Sequence, residues 1–210
     1  MSEFCLKARL FFGAQAVEHL QSLSCSNVLV ITDGFLQESG MVSKMTQHLP
    51  ARAHVSVYSN VKPDPSQELV DAGVEMICDA RPDLVIAFGG GSCIDATKAI
   101  LYFAGERGME RPYFLAIPTT AGTGSEVTNF AVITRGNTKV ALIDDVLVPD
   151  GALLDAAQQW LLAQHIVIGH ANFPTVTHLY GQIIDILRER SLLTATLDDV
   201  YFGPGHNRRV

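Results

Sequence analysis

Several features are missing from this 210-residue chain, and each absence closes off a class of protein. No block of lysine or arginine occurs. With a net charge of −7, the chain has little to set against a phosphate backbone, so a nucleic-acid partner is not expected. Asn207-Arg208-Arg209 near the end is locally basic, and two arginines on a tail imply nothing. No uninterrupted apolar run approaches the roughly 18 residues of a spanning helix, so no membrane partner is expected either. The first residues do not pass from a basic to an apolar segment, as a signal peptide would. Cysteine is sparse: Cys5, Cys25, Cys78 and Cys93 form no C-x-x-C pair and no zinc-like spacing, which suits free thiols in a reducing compartment. Hydrophobic residues make up 48% and charged ones 18%, enough to bury a substantial core and too apolar for disorder throughout. A soluble protein of the cytoplasm is expected.

Val85-Ile86-Ala87-Phe88 is a short, continuously apolar run that stops at Gly89-Gly90-Gly91 and restarts as a helix from Ser92. Such a run fits a strand buried on both faces of a parallel sheet. Glycines let the backbone turn sharply and lie against a ligand. Ser92 is a candidate N-cap, and Asp95 places a carboxylate near the helix start. Strand, glycine turn and helix N-terminus together offer N–H groups to an anion, most often a phosphate. The alternative is a tight turn with no ligand. Cys93, just inside the helix, reads either as a reactive thiol or as a small residue facing the sheet.

The same alternation recurs along the chain. Asn27 to Gly34 is an apolar run closed by Asp33-Gly34, and Phe35 to His48 reads as one helix with Leu36, Met41, Val42, Met45 and Leu49 as its apolar stripe. His54 to Tyr58 alternates as a strand, Pro63 to Ser66 is a rigid loop ending in an N-cap, and Gln67 to Ala80 is an amphipathic helix. Tyr113 to Ile117 is the fourth strand, followed by a loop from Thr119 to Ser125. Strands and helices in this order predict an α/β fold, a parallel Rossmann-like sheet with flanking helices. Ligands sit at the carboxyl ends of such strands, where Asp33, the Gly89 turn and the Thr119–Ser125 loop converge. A carboxylate at Asp33 suits ribose hydroxyls and would repel a 2′-phosphate, favouring NAD over NADP; the competing reading is a plain Asp-Gly turn. The G-x-G-x-x-G fingerprint does not follow this strand.

Gly89-Gly90-Gly91-Ser92-Cys93-Ile94-Asp95-Ala96-Thr97-Lys98 resembles the GGGSxxDxxK element of the iron-containing alcohol dehydrogenases, and Pro118 to Thr128 resembles their second nucleotide-contacting loop. Leu10 to Gly13 looks like the family's opening hairpin, and Thr32 to Leu36 like the end of its first nucleotide strand. Residues 1 to about 155 are similar throughout to the family's amino-terminal domain, in flavour nearest its propanol dehydrogenases of propanediol utilisation. The resemblance implies an NAD-dependent, metal-assisted oxidoreductase interconverting a short-chain primary alcohol and its aldehyde. It implies a cofactor site of Asp33, Gly89, Gly90, Gly91, Ser92, Asp95, Thr119, Thr120 and Thr123. Lys139 matches a lysine that reaches the cofactor, and otherwise reads as an exposed strand lysine. A homodimer and a bacterial microcompartment are compatible with the likeness. A glycerol dehydrogenase or dehydroquinate synthase relative stays open, with the PTTAGTGSE loop favouring the alcohol dehydrogenase branch.

From Gln158 onward the likeness is lost. The family's all-helical metal domain, with one Asp and three His ligands, is largely missing: residues 151–210 hold no D-x-x-x-H pair. His165, His170, His178 and His206 are irregularly spaced, Asp185, Asp198 and Asp199 have no His at helical spacing, and Gln182 to Leu193 is a candidate helix. The expected domains are therefore 1–157, a dinucleotide-binding unit, and 158–210, an atypical tail of a truncated or frame-shifted product. No metal ligands and no catalytic residue are assigned, which leaves a dinucleotide-binding module without catalysis as the alternative. DNA downstream of codon 157 that encodes D-x-x-x-H and later histidines in another frame would prove truncation.

Overall fold

Three apolar runs, Val28–Ile31, Leu84–Phe88 and Phe114–Ile117, are hydrophobic at every position, so a sheet built from them needs cover on both faces. The computed structural model describes residues 6–155 apart from Ala14 and Ala121, and in it that cover is present. In chain order the elements are β1 (Arg9–Phe12), β2 (Asn27–Asp33), α1 (Gly34–Glu38), α2 (Met41–Thr46), β3 (His54–Val61), α3 (Gln67–Ala80), β4 (Leu84–Gly89) and α4 (Gly91–Glu106). They continue as β5 (Tyr113–Pro118), β6 (Phe130–Arg135), β7 (Thr138–Ile143) and β8 (Gly151–Leu154). Six strands form a parallel sheet in the order β1-β8-β5-β4-β2-β3, while β6 and β7 make a separate antiparallel hairpin.

Alternate strand residues separate two cores. Leu29, Ile31, Val85, Ala87, Phe114 and Ala116 face α3, α4 and the inner side of the hairpin. Val28, Val30, Ile86, Phe88, Leu115 and Ile117 face α1, α2 and the 3-10 turn at Ala16–Ser22. Each large side chain buried this way contributes about 1.5–3 kcal/mol of transfer free energy. Helix α3 starts where expected: the Ser66 hydroxyl accepts from the Leu69 N–H at 3.3 Å, and Val70, Val74 and Ile77 form its buried stripe. Gly73 lies on that stripe and lets α3 close on α4, because a Cβ there would overlap Ile100 Cδ1 and stand 2.7 Å from its Cγ1. No helix among the described residues is long and apolar enough to cross a membrane.

Two expectations are corrected here. The helix expected from Phe35 to His48 is two helices, broken at Gly40, whose φ of +75° a glycine adopts readily. The stripe is still buried on both pieces, at Leu36, Val42 and Met45, and just beyond them at Leu49, so periodicity alone did not reveal the break. Leu10 to Phe12 lies in the edge strand β1, parallel to β8, rather than in a hairpin. A two-residue Gly136-Asn137 turn joins the true hairpin, β6–β7. The features expected in 158–210, His165, His170, His178, His206, Asp185, Asp198, Asp199 and the Gln182–Leu193 helix, lie outside the described residues.

The α3–α4 contact is testable. Gly73→Val should lower unfolding free energy by about 1–3 kcal/mol in urea melts. Combining it with Ile100→Ala should cost less than the two single changes together. Strict additivity would mean that the two residues do not meet.

Candidate functional site

Parallel pairing places the carboxyl ends of β2, β4 and β5 side by side. Gly89 is in register with Pro118, and the Thr119 N–H donates to the Gly89 carbonyl at 3.0 Å. At Gly89 the backbone has φ +154°, and a Cβ would collide with the Cys93 side chain, so the chain can reverse from β4 into α4 there only as glycine. Gly90 is the N-cap of α4 and provides no side-chain cap. This corrects the expectation for Ser92, which sits within the first helical turn. The N–H groups of Gly91 and Ser92 come before the helix can offer them an acceptor of its own, while that of Cys93 donates to the Gly90 carbonyl at 3.0 Å.

The Thr119–Thr123 loop closes over this turn. A Cβ on Gly90 would stand 3.2 Å from Thr120 Oγ1, and one on Gly91 would stand 3.5 Å from Thr123 Cγ2. The Thr120 hydroxyl is buried and has no hydrogen-bond partner among the described residues, a costly state for a polar group. Thr119 is itself buried, and Thr123 donates to Glu126 at 3.1 Å. The glycine turn and the threonine loop thus pack against each other at the start of α4.

Asp33 ends β2 on the same edge. Its Oδ1 accepts from the Leu36 N–H at 2.9 Å, capping α1, and its Oδ2 lies 3.8 Å from the Cys93 thiol as acceptor. The Asp-Gly turn and a ribose-facing carboxylate are therefore compatible, since a carboxylate has about four lone-pair positions. Cys93 is buried; burial, then the charge of Asp33, pushes its thiol well above the usual range. Of its two readings, the small inward-facing residue is the one observed.

Asp95 turns away from the helix start. It accepts from the Ser125 hydroxyl and from the Val132 N–H at 3.1 Å, tying α4 to the segment after the threonine loop. Burial raises its carboxyl, against these bonds and the nearby Lys98. Lys139 is exposed on β7, and its Nζ pairs with Asp64 at 2.7 Å. Asp64 belongs to the loop that follows β3, so Lys139 is tethered to the carboxyl edge through that loop rather than through the glycine turn. Four residues that sequence reasoning did not assign join the site's underside: Lys98, Ser125, Glu126 and Thr128. The available signal was a lysine three residues after Asp95, on a helix whose other positions from Ile94 to Leu101 are apolar apart from Thr97.

No group of three or more His, Cys, Asp or Glu among the described residues is placed to hold a metal ion. A cleft of about 330 Å³ lined by Arg9, His19, Cys25, Asp83 and Tyr113 lies at the opposite, amino edge and includes none of the site residues.

Residues 7–156 match the family model described as iron-containing alcohol dehydrogenase. The chain belongs to that family. The 1-propanol dehydrogenase PduQ of Citrobacter freundii is 42% identical over 157 residues, covering 74% of this chain and 42% of that protein. The chain thus spans less than half the length of this curated relative. The iron-containing alcohol dehydrogenase of Thermococcus thioreducens superposes with a TM-score of 0.70 at 25% identity, over 88% of this chain and 52% of that one. The sulfoacetaldehyde reductase of Bifidobacterium kashiwanohense, solved in complex with NAD+, shares the fold at 24% identity and a TM-score of 0.68, over 88% and 51% of the two chains. The family and the Rossmann-like sheet stand as the sequence indicated.

The environment of Cys93 makes a prediction. Iodoacetamide applied to native protein at pH 8 should leave Cys93 unmodified while the half-buried Cys78 reacts, and Cys93 should react after denaturation. Equal native rates, read by peptide mass spectrometry, would contradict the buried, high-pKa thiol.

Proposed function

We propose that residues 1–157 bind NAD(H) along the carboxyl edge of the sheet, as the nucleotide half of an oxidoreductase that interconverts a short-chain primary alcohol and its aldehyde. The observation that carries this reading is the unpartnered Thr120 hydroxyl, buried against Gly90 at the uncapped start of α4. That combination fits a phosphate oxygen, which would take the N–H groups of the helix start and the threonine hydroxyl together. Family membership supports the alcohol–aldehyde chemistry, and so does likeness to a 1-propanol dehydrogenase.

Each residue then has a task. Gly89, Gly90 and Gly91 admit the pyrophosphate to the backbone, and Ser92 adds an N–H from the first turn. Thr119, Thr120 and Thr123 line the nicotinamide side. Asp33 offers its free lone pairs to the adenosine ribose while still capping α1, and disfavours a 2′-phosphate by charge. Asp95 acts from behind, through Ser125. Lys139 reaches the cofactor after exchanging Asp64 for it. NAD supplies the hydride acceptor, and the protein's part is to fix the ring against the substrate carbon. The described residues do not fit a metal site, and none of them is assigned to one. That observation also favours the second reading, a dinucleotide-binding module that does no chemistry by itself.

Calorimetric titration of the whole chain with NAD+ and NADP+ tests the site. Gly90→Val should weaken NAD+ at least tenfold with an unchanged circular dichroism spectrum; unchanged affinity would remove the turn from the site. Asp33→Ala should weaken NAD+ about tenfold, the scale of one hydrogen bond to a charged group, and narrow the preference over NADP+. An unaltered ratio would end its ribose role. NADH oxidation with short aldehydes, after addition of iron(II) or zinc, separates the two readings: turnover supports the dehydrogenase, and binding without turnover supports the module.

A further inference from the structure

Lys98 is fully buried on α4, whose neighbouring positions Ile94, Ala99, Ile100 and Leu101 are apolar core. A lysine held this way is costly unless its protons all find acceptors. They do, and each acceptor belongs to one segment. Nζ donates to the carbonyls of Thr128 at 2.7 Å and Phe130 at 2.8 Å, and it lies 3.2 Å from Thr128 Oγ1 and 3.4 Å from Ser125 Oγ. One turn earlier on the same face, Asp95 takes the Ser125 hydroxyl and the Val132 N–H. Glu126, also buried, takes the Thr123 hydroxyl. Burial lowers the Lys98 ammonium to about 8, against the pull of Asp95 and Glu126, so it stays charged at neutral pH.

The arrangement has a direction. Between β5 and β6 the chain has no strand partner. Its near end is fixed by the Thr119 N–H on Gly89, and its far end, from Ser125 to Val132, is fixed by Asp95 and Lys98. The threonines that face the glycine turn lie between these anchors. We infer that Lys98 is a positioning residue for nucleotide binding: from beneath, it holds the Thr119–Thr128 loop in the shape that sets Thr120 and Thr123 against Gly90 and Gly91. A methionine of similar length would fill the space yet leave the Thr128 and Phe130 carbonyls without this donor, and Asp95 and the buried Glu126 without their cation. The consequence for binding rests on the cofactor reading above; the consequence for loop order does not.

The test is Lys98→Met in the full chain, with two readouts. The first is affinity for NAD+ and for AMP. AMP engages Asp33 and the adenosine-side phosphate position at the glycine turn, but it carries neither the second phosphate nor the nicotinamide ribose that Thr120 and Thr123 would meet, so NAD+ should weaken about tenfold and AMP less than twofold. The second is hydrogen exchange of peptides covering 119–130, which should quicken at least tenfold while those from β2, β4 and β5 keep their protection. Unchanged exchange and unchanged NAD+ affinity in a folded variant would overturn the inference. So would loss of both nucleotides with faster exchange everywhere, because Lys98 would then be a general support of the fold. If the parent chain binds neither nucleotide, the cofactor reading fails by itself, and a localised change in exchange still decides the role of Lys98. Should Lys98→Met not yield folded protein, Ser125→Ala, which leaves the buried charges in place, is read by the same two measurements and the same outcomes.

Discussion

The lack of room for a Cβ at residue 89 governs much of this domain. Because β4 must reverse into α4 within one residue, and that residue stands against Cys93, the helix starts directly at the sheet edge, without a side-chain cap. Its first turn therefore faces Thr120 and Thr123. Its next turn brings Asp95 and Lys98 beneath the loop that carries those threonines. One tight reversal thus places an uncapped helix end and the support of the loop packed against it on a single rigid element.

This economy has an energetic counterpart. Helix α4 is apolar on the sides that meet the sheet and α3, yet it commits the buried Lys98 and the half-buried Asp95 to a loop. A purely hydrophobic contact there would resist unfolding as well or better, but it would not specify the loop's backbone, since apolar contacts are non-directional. Paired carbonyls and an ammonium do specify it. The price appears at Thr120, whose buried hydroxyl is left without a partner by the geometry that holds its neighbours.

Much of this was legible in the sequence where a local rule decided the outcome. Gln67–Ala80 could be read to its exact ends because Ser66 caps it and its stripe has one period. Val85–Phe88 could be read because a parallel sheet demands apolar side chains on both faces. Where two structures share one pattern, the sequence was mute: the Leu36–Leu49 stripe is the same for one helix or for two broken at Gly40. Non-local pairing was hidden as well. Nothing near Leu10 signals that its partner is Ala152, and nothing near Lys98 signals that its acceptors lie at Thr128 and Phe130. In the candidate site, the glycines and threonines were visible through motif and spacing, whereas the underside, held by hydrogen bonds across some thirty residues, was not.

The pairing of β1 with β8 has a consequence for how the domain assembles. These strands come from opposite ends of the described chain, and β8 inserts between β1 and β5. Asp150 locks the insertion, taking the Phe114 N–H at 2.7 Å and the Arg111 guanidinium at 2.7 Å, while its carbonyl accepts from the Arg9 N–H at 3.1 Å. During synthesis β1 has no sheet partner until β8 is made, and the β5 edge stays open from the time β5 forms until then. Closure of the sheet is then a late, long-range event, the kind that sets folding rate more than stability.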